Sequence, residues 1–313
     1  MNPGLTTAAT GTKEEYMPER SPTEARNPRT VDIDTVATQE IIGLLQNEDA
    51  RAVHAASAAS AQLAAAVDAA GVRLRSGGRV HYFGAGASGR LAVLDATEVT
   101  PTFGADPELF TAHFPGGAAA LADSTLDLED ADTLGEQDAG ALGPGDVAVA
   151  VTASGSTAYA AGALRAARGT GALCVLVTCN PQAALLQACD LPVVADTGPE
   201  AITGSTRLKA GTATKVLLNS FSTALMVGAG RTYSNLMVGL VATNDKLRDR
   251  SVGLLVEASG QPRRHCTAAL EEAGGRVEAA LVSLLAEAPV ERAHRVLAEH
   301  GGVRAAVTAL EER

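Results

Sequence analysis

Five short apolar runs mark the middle of the chain: VHYF (80–83), LFTAHF (109–114), VAVAVT (147–152), LCVLVT (173–178) and LPVVAD (191–196). They are rich in β-branched residues, and the stretches between them place apolar positions at helical spacing. Near-continuous apolar strands alternating with helices predict an α/β fold, a doubly wound parallel sheet covered on both faces. Upstream, DTVATQEIIGLLQNE (34–48) predicts a helix capped by Asp34, and the Ala-rich stretch 49–75 predicts a second, longer one. Residues 206–230 predict a long helix. From about 254 onward the strand pattern ends, and short helical stretches broken by Gly-Gly and Pro predict a small C-terminal bundle. Residues 1–20 are polar and aperiodic, as expected of a disordered tail. The expected division is a tail (1–22), a ligand-binding sheet with its N-terminal helices (23–253) and a helical bundle (254–313).

The first strand runs straight into Gly84-Ala85-Gly86-Ala87-Ser88-Gly89 and then a helical stretch. Strand, tight glycine turn and helix start gather unpaired N–H groups and the positive end of a helix dipole around an anion. Gly86 and Ala87 offer backbone N–H groups there, and Ser88 offers a hydroxyl. The spacing also matches the dinucleotide fingerprint G-x-G-x-x-G, but the acidic strand end expected about twenty residues later is missing. Asp106 falls near that distance inside PTFGADPE, which reads as a turn. Glu98 follows the loop by ten residues, and a carboxylate near a phosphate loop suggests acid/base chemistry on a phosphorylated small molecule.

A second junction of the same kind follows the run 147–152, where Ser154-Gly155-Ser156-Thr157 stand at the strand's C-terminal end. In doubly wound sheets ligands bind at the carboxyl ends of strands, so two hydroxyl-rich loops can close around one phosphate. The alternative is that Ser154 and Thr157 only cap the next helix.

A third dense segment, GPEAITGSTRLKAGTATK (198–215), brings Glu200, Ser205, Arg207 and Lys209 to a predicted helix start. It offers hydroxyls and cations to an anionic group, or else a capped N-terminus with its basic residues in water. Residues 123–133 hold five carboxylates, most of them expected to be solvated.

Composition narrows the partners. The chain of 313 residues carries a formal net charge of −11, which excludes nucleic acid and an anionic membrane as natural partners. There is no Trp, and aromatics are only 3%, too few for stacking platforms. Cys174, Cys179, Cys189 and Cys266 lack metal-ligand spacing and read as buried thiols in a reducing cytoplasm. No metal site is expected, and no apolar run is long enough to cross a membrane.

Taken in order, TEARNPRTVDID (23–34), QNED (46–49), GAGASGRLAVLDATE with PTFG (84–104), ASGST (153–157), GPEAITGSTRLKAGTATK (198–215) and YSNLMVGLVATNDKL (233–247) resemble the sugar isomerase (SIS) fold. More narrowly they resemble the N-acetylmuramic acid 6-phosphate etherases and the related glucokinase regulatory proteins. The resemblance covers roughly 23–313. It implies an enzyme that takes a small sugar phosphate and cleaves its lactyl ether, with no metal or redox cofactor. It further implies Glu98 as general acid toward the departing lactate oxygen, partly buried for that task, and Glu129 as the base at C2. Ser88, Ser154 and Thr157 match the phosphate-binding hydroxyls. A homodimer is implied, with the TEARN segment reaching a neighbour.

Three departures stand out. Ser156 replaces an arginine and Ala158 a proline in the family's ASGRTPY; TLDLED keeps only Glu129 and Asp130 of VEGAED; Gly239 stands where an aspartate is usual. Two other readings remain open. One is a non-catalytic sugar-phosphate sensor, which the C-terminal helices favour because they resemble a ubiquitin-associated module. The other is an aldose–ketose isomerase, which shares the fold.

Overall fold

The computed structural model describes residues 21–312, apart from 124, 127 and 242–244. The expected tail at 1–20 lies outside the described residues. Two N-terminal helices, α1 (Thr38–Ala58) and α2 (Ser60–Arg75), lead into β1 (Val80–Gly84) and α3 (Gly86–Phe103). There follow β2 (Phe110–His113), α4 (Gly117–Ala122), α5 (Asp132–Ala139), β3 (Val147–Thr152) and α6 (Ala158–Thr170). Then come β4 (Leu173–Thr178), β5 (Leu191–Val194) and the long α7 (Lys209–Gly228). The N-terminal helices break at Ala59, not near residue 48 as the sequence pattern suggested. The junction falls within Ala55-Ala56-Ser57-Ala58-Ala59-Ser60-Ala61, with no Gly or Pro and no side-chain capping bond to mark it.

The five strands are all parallel, in the order β2-β1-β3-β4-β5. Every residue of β3 and β4 is buried, so the sheet is covered on both sides. Val80, Tyr82, Val149, Val151, Val175 and Val177 face the layer of α1, α2, α3 and α7. Phe83, Ala148, Ala150, Cys174 and Leu176 face α5 and α6. The strand order reverses between β1 and β3, so the chains leaving them turn to opposite faces and open a crevice between their ends.

A second core lies beyond the sheet. The short hairpin β6 (Thr232–Tyr233) and β7 (Leu236–Met237) precedes α8 (Asp245–Ser259), α9 (Arg263–Glu272), α10 (Val277–Leu285), α11 (Val290–His300) and α12 (Val303–Glu311). These helices bury Leu255, Cys266, Val277, Leu281, Ala293 and Ala306 together, and α8 belongs with them.

Candidate active site

The crevice at the switch point holds a pocket of about 300 Å³ whose wall comes from both strand–loop–helix junctions. Gly86, Ala87 and Ser88 enter from the first turn of α3, and Thr152, Ser154, Ser156 and Thr157 from the loop between β3 and α6. The three glycines of the first loop have separate reasons to be there. A Cβ on Gly89 would lie 2.2 Å from the Gly84 carbonyl oxygen, so strand end and helix start touch backbone to backbone. Gly86 has φ of 54°, in the region that favours glycine, and a Cβ there would point to within 3.9 Å of Glu129 Oε2.

The second loop is held by its own hydroxyls. Thr152 and Thr157 pair through their Oγ1 atoms at 2.8 Å, and the Gly155 N–H donates to Thr152 Oγ1 at 3.2 Å. The Ser156 hydroxyl donates to Ser154 Oγ at 3.0 Å, and Asn180 Nδ2 donates to the Ser154 carbonyl at 2.9 Å. Thr157 occupies the N-cap of α6 but makes no side-chain capping bond. The loop hydroxyls therefore do not serve only as caps. Two helices start at this pocket, each directing N–H groups and positive dipole toward it. Among the described residues lining it there is no Lys or Arg, so an anion here is held by N–H groups and hydroxyls.

Carboxylates face the cradle from two sides. Glu129 and Asp130 lie in the turn before α5, and the Glu129 carbonyl accepts the Tyr159 N–H at 2.9 Å, tying that turn to the start of α6. Glu24 approaches from the opposite side, where a Cβ on Gly204 would lie 3.0 Å from Glu24 Oε2. Sequence reasoning did not single out Glu24. Its available signal was position: it sits in the TEARN segment that carried part of the resemblance. That segment packs on its own chain, with Thr23 O accepting the Gly204 N–H at 3.2 Å and Thr30 Oγ1 donating to Ala201 O at 2.8 Å. Asp127, another carboxylate of the acidic run, lies outside the described residues.

Glu98 stands apart. It is exposed on α3, ten residues past Ser88, or about 15 Å along a helix at 1.5 Å per residue. It does not line the pocket, because Asp95, Ala96 and Val99 turn inward and leave Thr97 and Glu98 on the solvent face. Its expected partial burial is not found within one chain. Leu94, one turn earlier, is also exposed, at 52%.

The third segment departs from the expectation too. Gly204 and Thr206 reach the cradle, while Ser205 between them does not line it. Lys209 is 1% exposed, and its ammonium meets Glu48 Oε2 at 2.5 Å. Glu48 also pairs with Arg29 and accepts from Asn27 Nδ2 at 3.0 Å. The Arg29 bonds hold its carboxyl at about 2, against the opposing effect of burial and with help from Lys209 and Asn27. Glu200, fully buried, accepts the Lys209 and Ala210 N–H groups at 2.9 Å each and so caps α7; burial raises its pKa. Neither Glu200 nor Lys209 touches the pocket: they fasten α7 and α1 beneath it. Gly239 also lies away from the cradle, where a Cβ would sit 2.1 Å from the Phe103 carbonyl oxygen.

A parallel sheet with a hydroxyl-lined pocket at its switch point and carboxylates in the pocket wall is the architecture of the SIS class. The model of the glucokinase regulatory protein N-terminal SIS domain matches residues 62–168. A phosphoheptose isomerase from Francisella tularensis shares the fold with a TM-score of 0.50 at 16% identity, over 62% of this chain and all of that one. Curated relatives are far nearer. The N-acetylmuramic acid 6-phosphate etherase of Thermobifida fusca is 51% identical over 85% of this chain and 88% of its own length. That of Deinococcus radiodurans is 48% identical over 90% and 92%. The chain belongs to the N-acetylmuramic acid 6-phosphate etherase family.

Proposed function

We propose that this protein cleaves the D-lactyl ether of N-acetylmuramic acid 6-phosphate, yielding N-acetylglucosamine 6-phosphate and D-lactate in amino sugar recycling. The observation that carries the reading is the convergence of two strand–loop–helix junctions and Glu129 on one pocket. In that pocket the phosphate takes the N–H groups of Gly86 and Ala87 and the hydroxyls of Ser88, Ser154, Ser156 and Thr157. Ring opening exposes an aldehyde that acidifies the C2 hydrogen and makes the C3 ether oxygen a β-leaving group. Glu129 removes the C2 proton and lactate departs; water then adds at C3, losing a proton to the conjugate base of the acid that protonated lactate, while Glu129 returns its proton to C2. A carboxylic acid must protonate the leaving oxygen, and Glu98 is the residue we assign to it.

Glu98 is too far along α3 to serve the cradle of its own chain, so we assign it to the cradle of a second copy. The exposed Leu94–Glu98 face of α3 supports an isologous homodimer in which each α3 completes the partner's site. Glu24 serves the cradle in its own chain as an acceptor for sugar hydroxyls. We further infer a cytoplasmic protein: the described helices include none long and apolar enough to cross a membrane, and its four cysteines are unpaired. We take the C-terminal helices as a module attached to the sheet unit, supported by their separate core, which takes in Val238, Leu240 and Val252 and so begins ahead of the expected boundary at 254.

The assay is D-lactate release from N-acetylmuramic acid 6-phosphate by the purified protein. Release of lactate with N-acetylglucosamine 6-phosphate supports the reading. Ketose formation instead would turn it to isomerisation, and binding without turnover to a sensor.

A further inference from the structure

Away from the cradle, α3 and α7 run to a second polar pocket. Both helices begin beside the cradle, Gly86 and Ser88 in one case and Thr206 just before the other, and both end near a cavity of about 450 Å³ between the sheet layer and the helical bundle. Gly104, the left-handed C-cap of α3, lines it, as does Arg231 just past the end of α7. The bundle contributes Arg276, Glu278 and His294. The distance from Gly86 to Gly104 is about 27 Å of helix at 1.5 Å per residue, so this pocket is separate from the cradle.

Its positive charge is only partly matched, two guanidiniums standing against the single carboxylate of Glu278. Among the described residues no carboxylate lies within 4.0 Å of either guanidinium, and neither has a hydrogen-bonded partner. A cation past the end of α7 is favoured by that helix's dipole, which accounts for Arg231. It does not account for Arg276, at the N-cap of α10, or for His294 on α11. The first turn of α10 opens here as well, with Glu278 and Ala279 in the wall, adding N–H groups that no helix carbonyl can take. Glu278 is the one carboxylate in the wall, half-buried, with its pKa raised by burial against the pull of both arginines.

We propose that this pocket is a second anion site that takes a small hydroxylated phosphate ester. The two guanidiniums offer forked donors suited to phosphate oxygens. Glu278 accepts from the ligand's hydroxyl groups. The volume suits one monosaccharide-sized ligand. A ligand here contacts the far ends of the two helices whose near ends frame the cradle.

Calorimetric titration of the full chain with inorganic phosphate, and with glucose 6-phosphate as the hydroxylated probe, tests this. Two anions per chain are expected for the wild type. Arg276→Gln, at an exposed side chain, should leave one, and Arg231→Gln should weaken the same event at least about tenfold. The surviving event should be the one lost when Ser154→Ala and Ser156→Ala are added. Glu278→Gln should remove the advantage of glucose 6-phosphate over inorganic phosphate at this site only. One anion per chain in the wild type that survives Arg276→Gln, or two in Arg276→Gln, overturns the proposal.

Discussion

At the scale of single residues, the proposed reaction is tested most sharply at Glu129 and Ser156. Glu129→Gln should reduce turnover by about a hundredfold or more, as expected for loss of a general base, with little change in KM. It should also abolish solvent-deuterium incorporation at C2, measured on substrate recovered before completion. Ser156 stands where the resemblance leads one to expect arginine, and no Lys or Arg lines the cradle among the described residues. Ser156→Arg places a guanidinium beside Ser154 and should lower KM about tenfold or more, read from initial rates, since a charge-assisted bond to phosphate outweighs a neutral one. The placement of Gly86, Ala87, Ser88, Ser154, Ser156 and Thr157 around one pocket was legible because strand–loop–helix junctions announce themselves by local order of residue types, whereas Gly155 packs against Ala183 and does not line the pocket. Glu24 was not, because its place depends on a contact with Gly204, 180 positions away in the chain.

The elements under the cradle are fixed by buried charge, and this the sequence concealed. A Lys and an Arg near a predicted helix start read as ligands for an anion; only packing shows that Lys209 is spent on Glu48 from α1. Removing one partner of such a pair leaves a buried charge. Glu48→Gln should therefore cost about 3–5 kcal/mol of stability in denaturant unfolding. Acid should do the same gradually. Glu48 is held at about 2 in the folded protein, below its ordinary value of 4.5, so the unfolded chain binds its proton first. The stabilisation is complete above about pH 4.5 and is lost as pH falls from there toward 2, visible as a falling melting temperature. In Glu48→Gln that part of the acid dependence should vanish. The central strands β3 and β4 were legible because burial on both faces leaves them almost purely apolar; the break at Ala59 was not, because the Ala and Ser residues around it include no Gly or Pro to mark where one helix yields to the next.

At the scale of the whole molecule, one chain brings both hydroxyl-rich loops and Glu129 to one pocket but leaves Glu98 outside it. The sequence placed Glu98 near the glycine loop by counting residues, and a helix turns that count into distance. If the site is finished by the α3 of a second copy, two inactive variants should rescue each other. Purified Glu98→Gln and Glu129→Gln proteins, unfolded and refolded together, would form mixed dimers with one intact site. The lactate-release rate should then recover to about a quarter of the wild-type rate, given random pairing in a two-fold symmetric dimer. Each variant refolded alone should stay near its own low rate. A mixture no more active than its components would contradict the account and move the acid to a carboxylate of the same chain, with Glu24 first in line.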